Sequence, residues 1–295
     1  MMEKRILERR IAVLGLGQMG RRMAEMYVEQ GYQVTVWNRN LSKAKDLSGV
    51  IVATSVEQAI ADNEIIIICV LDNKAVSDIL GQAGEFVFSK KTLINLTTGN
   101  PQEAKELESR LTAHGGVYLN GAIQVAPEQM GQPDTTILMA GNKERFNEVK
   151  AALDVLGGNI KFLGANASAS PAMDLATLSW VYGSYIGLLY GAALVQAEGM
   201  QLQDFRDIVG EIAPSFVEFF RHEVNMIQEG NYNITQSPLI ISVGATQRIA
   251  EAASAAKLDT AFTNVMAGLL QKAQARGFEN QEVTAVLKVI NTPEK

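Results

Sequence analysis

Residues 11–20 read IAVLGLGQMG: a β-branched run enters G-x-G-x-x-G and leaves into a Met- and Ala-rich stretch of helical character. That order commits the chain to a strand, a tight turn and a helix, the opening of a dinucleotide-binding βαβ unit. Gly15 permits the turn, Gly17 admits a pyrophosphate and Gly20 lets the helix lie against the strand. Leu16, Gln18 and Met19 complete the loop and are expected cofactor contacts with the three glycines.

The next apolar run, 34–37, ends in Asn38-Arg39-Asn40. A carboxylate at this strand tip would hold the ribose 2'-hydroxyl of NAD. Asn38 stands there instead, eighteen residues past Gly20, with Arg39 next and Lys43 one turn beyond. These groups suit a 2'-phosphate, since one charge-assisted Arg–phosphate contact contributes roughly 1.5 to 3 kcal/mol. The expected cofactor is NADPH, with Asn38, Arg39, Asn40 and Lys43 around its 2'-phosphate. The plainer reading of Arg39 and Lys43 is a pair of solvated charges.

Composition narrows the partners. With 295 residues the chain has room for two domains of ordinary size. A net charge of -6 argues against nucleic acid. The single cysteine, Cys69, excludes a disulfide framework and points to a reducing cytoplasm, with the thiol in the core. Two histidines far apart, His114 and His222, leave no metal-ligand spacing, so no metal is expected. The amino-terminal run MMEKRILERR lacks the apolar core of a targeting segment. Residues 175–197 carry no charge over twenty-three positions, long enough to span a bilayer. Thr177, Ser179, Ser184, Gln196 and three tyrosines in that stretch favour instead a helix buried within or between subunits, and no membrane partner is expected.

Up to residue 163, short apolar runs alternate with amphipathic stretches, the pattern of a parallel sheet flanked by helices. Strands are expected at 11–14, 33–37, 50–53, 65–70, 92–95, 117–122, 136–140 and 160–163, with a helix over 143–156. The small, polar segment 164–170 marks the boundary, dividing the chain into 1–164 and 165–295. Ser170 as N-cap and Pro171 at the first helical position open a helix expected over 171–198, about 42 Å long at 1.5 Å per residue. Too little chain follows to cover its apolar sides, so a second subunit is expected along it. Further helices are expected at 202–210, 211–229, 237–256, 260–276 and 281–290.

Six segments together carry a family likeness: the glycine loop at 15–20, VTVWNRN at 34–40, CVLDNKAV at 69–76, INLTTGNP at 94–101, NGAIQVAPEQMG at 120–131 and PAMDLATLSWVYG at 171–183. They resemble NADPH-dependent imine reductases and reductive aminases of the β-hydroxyacid dehydrogenase superfamily, over nearly the whole chain from about Arg10 to Ile290. The resemblance implies an α/β fold: an N-terminal Rossmann doubly wound sheet, a long interdomain helix and an all-α C-terminal dimerisation domain, assembled as an intertwined homodimer.

Asp174 is where this chain departs from the wider superfamily. β-Hydroxyacid dehydrogenases place a lysine here in a pattern resembling GxGxxxKxxxN, whereas residues 167–178 read ASASPAMDLATL. Exchanging a proton with an alcohol suits a lysine. Reducing C=N calls for an anion beside the developing iminium, which a carboxylate provides. Asp174 is expected in the first turn of its helix, where the dipole favours the ionised form, and burial would push the other way. A first-turn acid that only complements the dipole is the alternative, and proton donor versus electrostatic anchor stays open.

The resemblance further assigns Tyr182 to the substrate side, with packing as its alternative, and Asn95 to the amine or nicotinamide ribose, with a strand-end cap as its alternative. Thr97 follows at the carboxyl edge of the sheet, and Val70 and Leu71 are expected beside the nicotinamide. Met173, Trp180, Met200, Leu239 and Ile240 are candidates for an apolar pocket or for core. The expected activity is NADPH-dependent reduction of cyclic imines, or of imines formed from a carbonyl and an amine. The alternatives are a β-hydroxyacid dehydrogenase-like reductase, against which the missing lysine speaks, and a non-catalytic NADPH-binding protein.

Overall fold

The computed structural model describes residues 10–292. The reading of the amino-terminal run as untargeted falls on residues 1–9, outside the described residues. Contacts divide the chain into two compact units between Val181 and Tyr182, inside a helix and beyond the boundary expected at 164.

Eight strands form one sheet in the first unit: β1 Arg10–Leu14, β2 Gln33–Trp37, β3 Val50–Val52, β4 Ile65–Ile68, β5 Thr92–Asn95, β6 Val117–Ile123, β7 Thr136–Gly141 and β8 Asn159–Phe162. Their order is β3-β2-β1-β4-β5-β6-β7-β8. Strands β1 to β6 are parallel, so their carboxyl ends share one edge; Leu14 lies opposite both Trp37 and Ile68. The alternation of elements called for a parallel sheet, and here the structure departs from it. β7 runs antiparallel to β6, and β8 follows β7. The link from β6 to β7 contains only the short 3-10 turn Pro127–Gln129 and no α-helix to carry the chain back for a parallel crossover.

Helices cover both faces: α1 Gln18–Glu29 and α5 Lys143–Asp154 on one, α2 Val56–Ala61, α3 Asn73–Leu80 and α4 Pro101–Ala113 on the other. The strands feed both layers by simple alternation. Ile11 and Val13 pack with Met23 and Phe146, while Ala12 and Leu14 pack with Ile60 and Leu107. Such a doubly wound sheet is the arrangement the sequence pattern called for.

The remaining helices are α6 Ala169–Ala197, α7 Leu202–Glu229, α8 Leu239–Ala255, α9 Ala261–Ala275 and α10 Leu287–Ile290. Three expectations change here. α6 begins two residues early: Asn166 Oδ1 accepts from the backbone N–H and hydroxyl of Ser168, and Ser170, fully buried, donates to the Leu138 carbonyl instead of capping. The two helices expected at 202–210 and 211–229 are one helix, which runs through Gly210 and Pro214 to a left-handed Gly230. A mid-helix glycine costs only about 1 kcal/mol, too little by itself to end a helix. Finally, the helix expected over 281–290 reduces to a 3-10 turn, Val283–Val286, and one α-turn. Glu282 is tied down there, its carboxylate accepting from the N–H groups of Thr235, Gln236 and Ser237 at 2.6, 2.8 and 2.6 Å.

Candidate active site

A cleft of about 740 Å³ opens at the carboxyl edge of the sheet. Sequence reasoning placed twelve residues there that do line it: Gly15 to Gly20 without interruption, Asn38, Arg39, Asn40, Lys43, Val70 and Leu71. Among those it missed are Asp72, Lys74 and Asp78, from the start and outer turns of α3. Asp72 could have been found, because it is a helix N-cap: its Oδ1 accepts from the Ala75 N–H at 2.7 Å.

The loop is shaped for a close approach. Gly15 has φ +101°, and a Cβ there would stand 2.3 Å from the Cys69 carbonyl oxygen. A Cβ on Gly20 would stand 2.1 Å from the Gly15 carbonyl oxygen, so strand and helix meet at van der Waals distance only without one. At Gly17 an added Cβ would meet nothing within 4 Å, so that face is open. Gly17 makes no side-chain cap, and the first turn of α1 holds no acid. Its N–H groups and the positive end of its dipole are left for an anion, which fits a pyrophosphate.

The β2 tip divides its labour. Asn38 accepts from the Leu16 N–H at 2.9 Å and donates to the Asn40 carbonyl at 2.9 Å, fastening the glycine loop to the second strand. Asn40 accepts from Ser42 and caps the next turn. Asn38 is engaged in holding the loop, while Arg39, Asn40 and Lys43, exposed at the rim, are the groups that can meet a phosphate.

Asn95 and Thr97 do not reach the cleft surface, contrary to their expected contacts. Asn95 is fully buried: its amide donates to Asn73 Oδ1 at 2.9 Å and to the Tyr118 hydroxyl at 3.0 Å, and its carbonyl accepts from the Thr97 N–H. Thr97, equally enclosed, accepts from the Val70 N–H at 3.1 Å. The two clamp the cleft wall from behind, as a strand-end cap does, and every polar atom of the Asn95 side chain is already spent. Burial also pushes the Cys69 thiol up to about 11, which leaves it protonated beside the loop.

Asp174 is buried, with 4% of its surface exposed. It is the sixth residue of α6 and not in the first turn, so the dipole argument for its ionised form loses most of its force. A different group holds it. Gln124, the residue after β6, donates its Nε2 to Asp174 Oδ1 at 2.6 Å. Thr177, one turn along α6, has its hydroxyl 2.9 Å from Gln124 Oε1 and 2.9 Å from the Asp174 carbonyl. Because β6 shares its direction with β1 to β5, Gln124 stands at the cofactor edge, three residues before Pro127, which lines the cleft. Gln124 lies within the family-like segment 120–131 but carries no local signal of this role.

Tyr182 is 63% exposed, and Met173, Trp180, Met200 and Ile240 are exposed as well. Leu239 is not pocket surface: it is fully buried in a small cluster with Val243, Ala273, Ala285 and Val289. Among the described residues no group of three or more His, Cys, Asp or Glu is placed to hold a metal ion.

Comparison with known proteins matches residues 10–164 to the family described as the NAD binding domain of 6-phosphogluconate dehydrogenase. Residues 166–292 match the C-terminal domain described as NADPH-dependent reductive aminase-like. An NADPH-dependent reductive aminase of Aspergillus oryzae is 29% identical over 288 residues, covering 96% of this chain and 97% of its own length. A reductive aminase from Aspergillus terreus, solved with NADPH4, cyclohexanone and allyl amine, is 30% identical with a TM-score of 0.88 over 96% of this chain and 99% of that one. An imine reductase from Myxococcus stipitatus in complex with NADP+ is 26% identical with a TM-score of 0.91, over 95% and 99% of the two chains.

Proposed function

This chain belongs to the family of NADPH-dependent reductive aminases and imine reductases, and from that premise we propose that it reduces C=N bonds, whether cyclic imines or imines formed from a carbonyl and an amine. The observation that carries the reading is the buried carboxylate of Asp174, standing where alcohol-oxidising relatives are expected to keep a lysine.

NADPH, when bound, supplies the hydride. The chain's own residues hold it: the Gly15–Gly20 loop and the open N-terminus of α1 take the pyrophosphate, Arg39 and Lys43 the 2'-phosphate, and Val70 and Leu71 border the nicotinamide. Asp174 places a negative charge next to the nitrogen of the substrate. In low-dielectric surroundings that charge stabilises an iminium far more than water would. Tyr182 is assigned to the substrate side, and Asn95 to support of the cleft wall. Water is kept from the carboxylate by its burial, so the charge is little screened.

The protein is further read as a homodimer in the cytoplasm. α6 is long and apolar enough to cross a membrane by length and composition, yet only Ser170, Pro171 and Asp174 are buried along it. An apolar surface of this extent requires a cover. Its hydroxyls and Gln196 fit a protein cover better than lipid, and a second copy of the same helix is the partner proposed. A lone, protonated cysteine fits a reducing compartment.

Purified protein with NADPH and a small cyclic imine should consume cofactor, while 3-hydroxy acids with NADP+ should not. Asp174→Asn keeps the shape and removes the charge, and should lower kcat by about a hundredfold or more. Full activity in both Asp174→Asn and Asp174→Ala would overturn the role given to this residue.

A further inference from the structure

We propose that Gln124 is a positioning residue that serves Asp174 in both of its protonation states; the inference rests on the reading of Asp174 given above. Thr177 has one hydroxyl hydrogen and two acceptors at 2.9 Å, Gln124 Oε1 and the Asp174 carbonyl, so it can satisfy only one at a time. That duplication matters because a primary amide turned half a rotation about its last bond exchanges oxygen for nitrogen with almost no change of shape.

In the first arrangement Asp174 is ionised. Gln124 donates its Nε2–H to Oδ1, and Thr177 donates to Gln124 Oε1. In the second, Asp174 carries a proton and donates it to Oε1 of the turned amide. Gln124 then donates its N–H to the Thr177 oxygen, and the Thr177 hydrogen passes to the Asp174 carbonyl. Each arrangement keeps Gln124 hydrogen-bonded to both Asp174 and Thr177. A buried carboxyl without such a partner would leave one of its two states unpaired, at a cost in free energy comparable to a lost charged hydrogen bond.

The consequence is specific to neutral imines. Reducing one requires a proton at nitrogen as well as a hydride at carbon. The N–H bond forms as the Asp174 O–H bond breaks, the electron pair of that bond stays on the carboxylate, and water that enters once product has left returns the proton before the next turnover. A permanently charged N-methyl iminium needs no proton, only the carboxylate. Gln124 therefore distinguishes two substrates that the cofactor treats alike.

The test is Gln124→Met, of similar length but without donor or acceptor, assayed on a neutral cyclic imine and on its N-methyl iminium counterpart. For the neutral imine kcat should fall about ten- to a hundredfold, for the iminium much less, with the KM for NADPH and its fluorescence titration unchanged. Thr177→Val should shift the same ratio in the same direction, and Thr177→Ser should restore it, which keeps the test independent of how Gln124→Met folds. A readout apart from turnover is the infrared difference spectrum on acidification. The carboxyl band that disappears in Asp174→Asn should move in Gln124→Met. Equal losses on both substrates, or none, while Asp174→Asn is inactive, would overturn the role of Gln124 and leave that of Asp174 standing. Full activity of Asp174→Asn would overturn the Asp174 reading itself.

Discussion

The sheet unit and the helical unit solve the problem of burial in opposite ways. In the first, both faces of the sheet are covered by the chain's own helices, and the strands alternate their side chains into two separate apolar layers. In the second, the buried apolar cluster among the described residues is five side chains, Leu239, Val243, Ala273, Ala285 and Val289. Meanwhile Tyr185, Leu189, Ile208, Phe216 and Val224 stand largely exposed on α6 and α7. Short βα repeats close a core locally, whereas long helices bury one stripe and need another body for the rest. The unit that binds cofactor therefore covers its own core, while the helical unit leaves apolar faces of α6 and α7 exposed.

Four substitutions would break or sharpen that contrast. The largest effect is expected from Gly20→Val, which drives a branched side chain into the Gly15 carbonyl. It should abolish NADPH binding and cost the sheet unit about 3 kcal/mol, read by fluorescence titration and thermal melting. Normal binding would mean that the loop is not the pyrophosphate site. Next comes Ile186→Asp on the exposed face of α6, which costs nothing if that face meets water. Against a second copy it buries an unpaired charge worth about 2 kcal/mol or more, so sedimentation should show monomer where the parent shows dimer. A monomeric parent would end the comparison.

Arg39→Ala tests the rim of the cleft: NADPH should bind about ten- to a hundredfold more weakly and NADH almost as before. Equal losses for both would show that Arg39 does not read the 2'-phosphate. The smallest effect concerns Glu223, a residue of α7 whose carboxylate oxygens are buried without a hydrogen-bond partner among the described residues. Burial, and then the neighbouring Glu282, raise its pKa above the ordinary carboxylate range. An acid raised in the folded state binds more protons folded than unfolded, so its penalty is absent at low pH and grows as pH climbs through the raised value. Glu223→Gln should stabilise the protein by about 1 kcal/mol at neutral pH, with the gain fading below the ordinary glutamate range. Melting curves at about pH 4 and pH 7 would show the difference. A gain that did not depend on pH would point to packing instead.

The cofactor cleft was readable residue by residue because its determinants are local. Glycine spacing, a β-branched run and a basic strand tip lie within one stretch of 33 residues, from Ile11 to Lys43. Asp174 was readable as a departure from a lysine pattern, but its setting was not: the early start of α6 removes it from the first turn, and its partner Gln124 lies fifty residues upstream. Asn95 shows the same limit from the other side. Its strand-end position pointed toward a ligand, while Asn73 and Tyr118, brought in by two other segments, and Thr97, two residues along its own, consume its hydrogen bonds.

From its sequence alone the chain was bound to build a dinucleotide-binding βαβ unit and to carry an acid on the long helix, because backbone sterics and short-range periodicity leave few other outcomes. Which polar groups face the cleft and which are spent behind it, and that α7 runs unbroken through Gly210 and Pro214, was decided only in three dimensions. Hydrogen-bond satisfaction and packing depend on neighbours distant in sequence, and no local pattern records them.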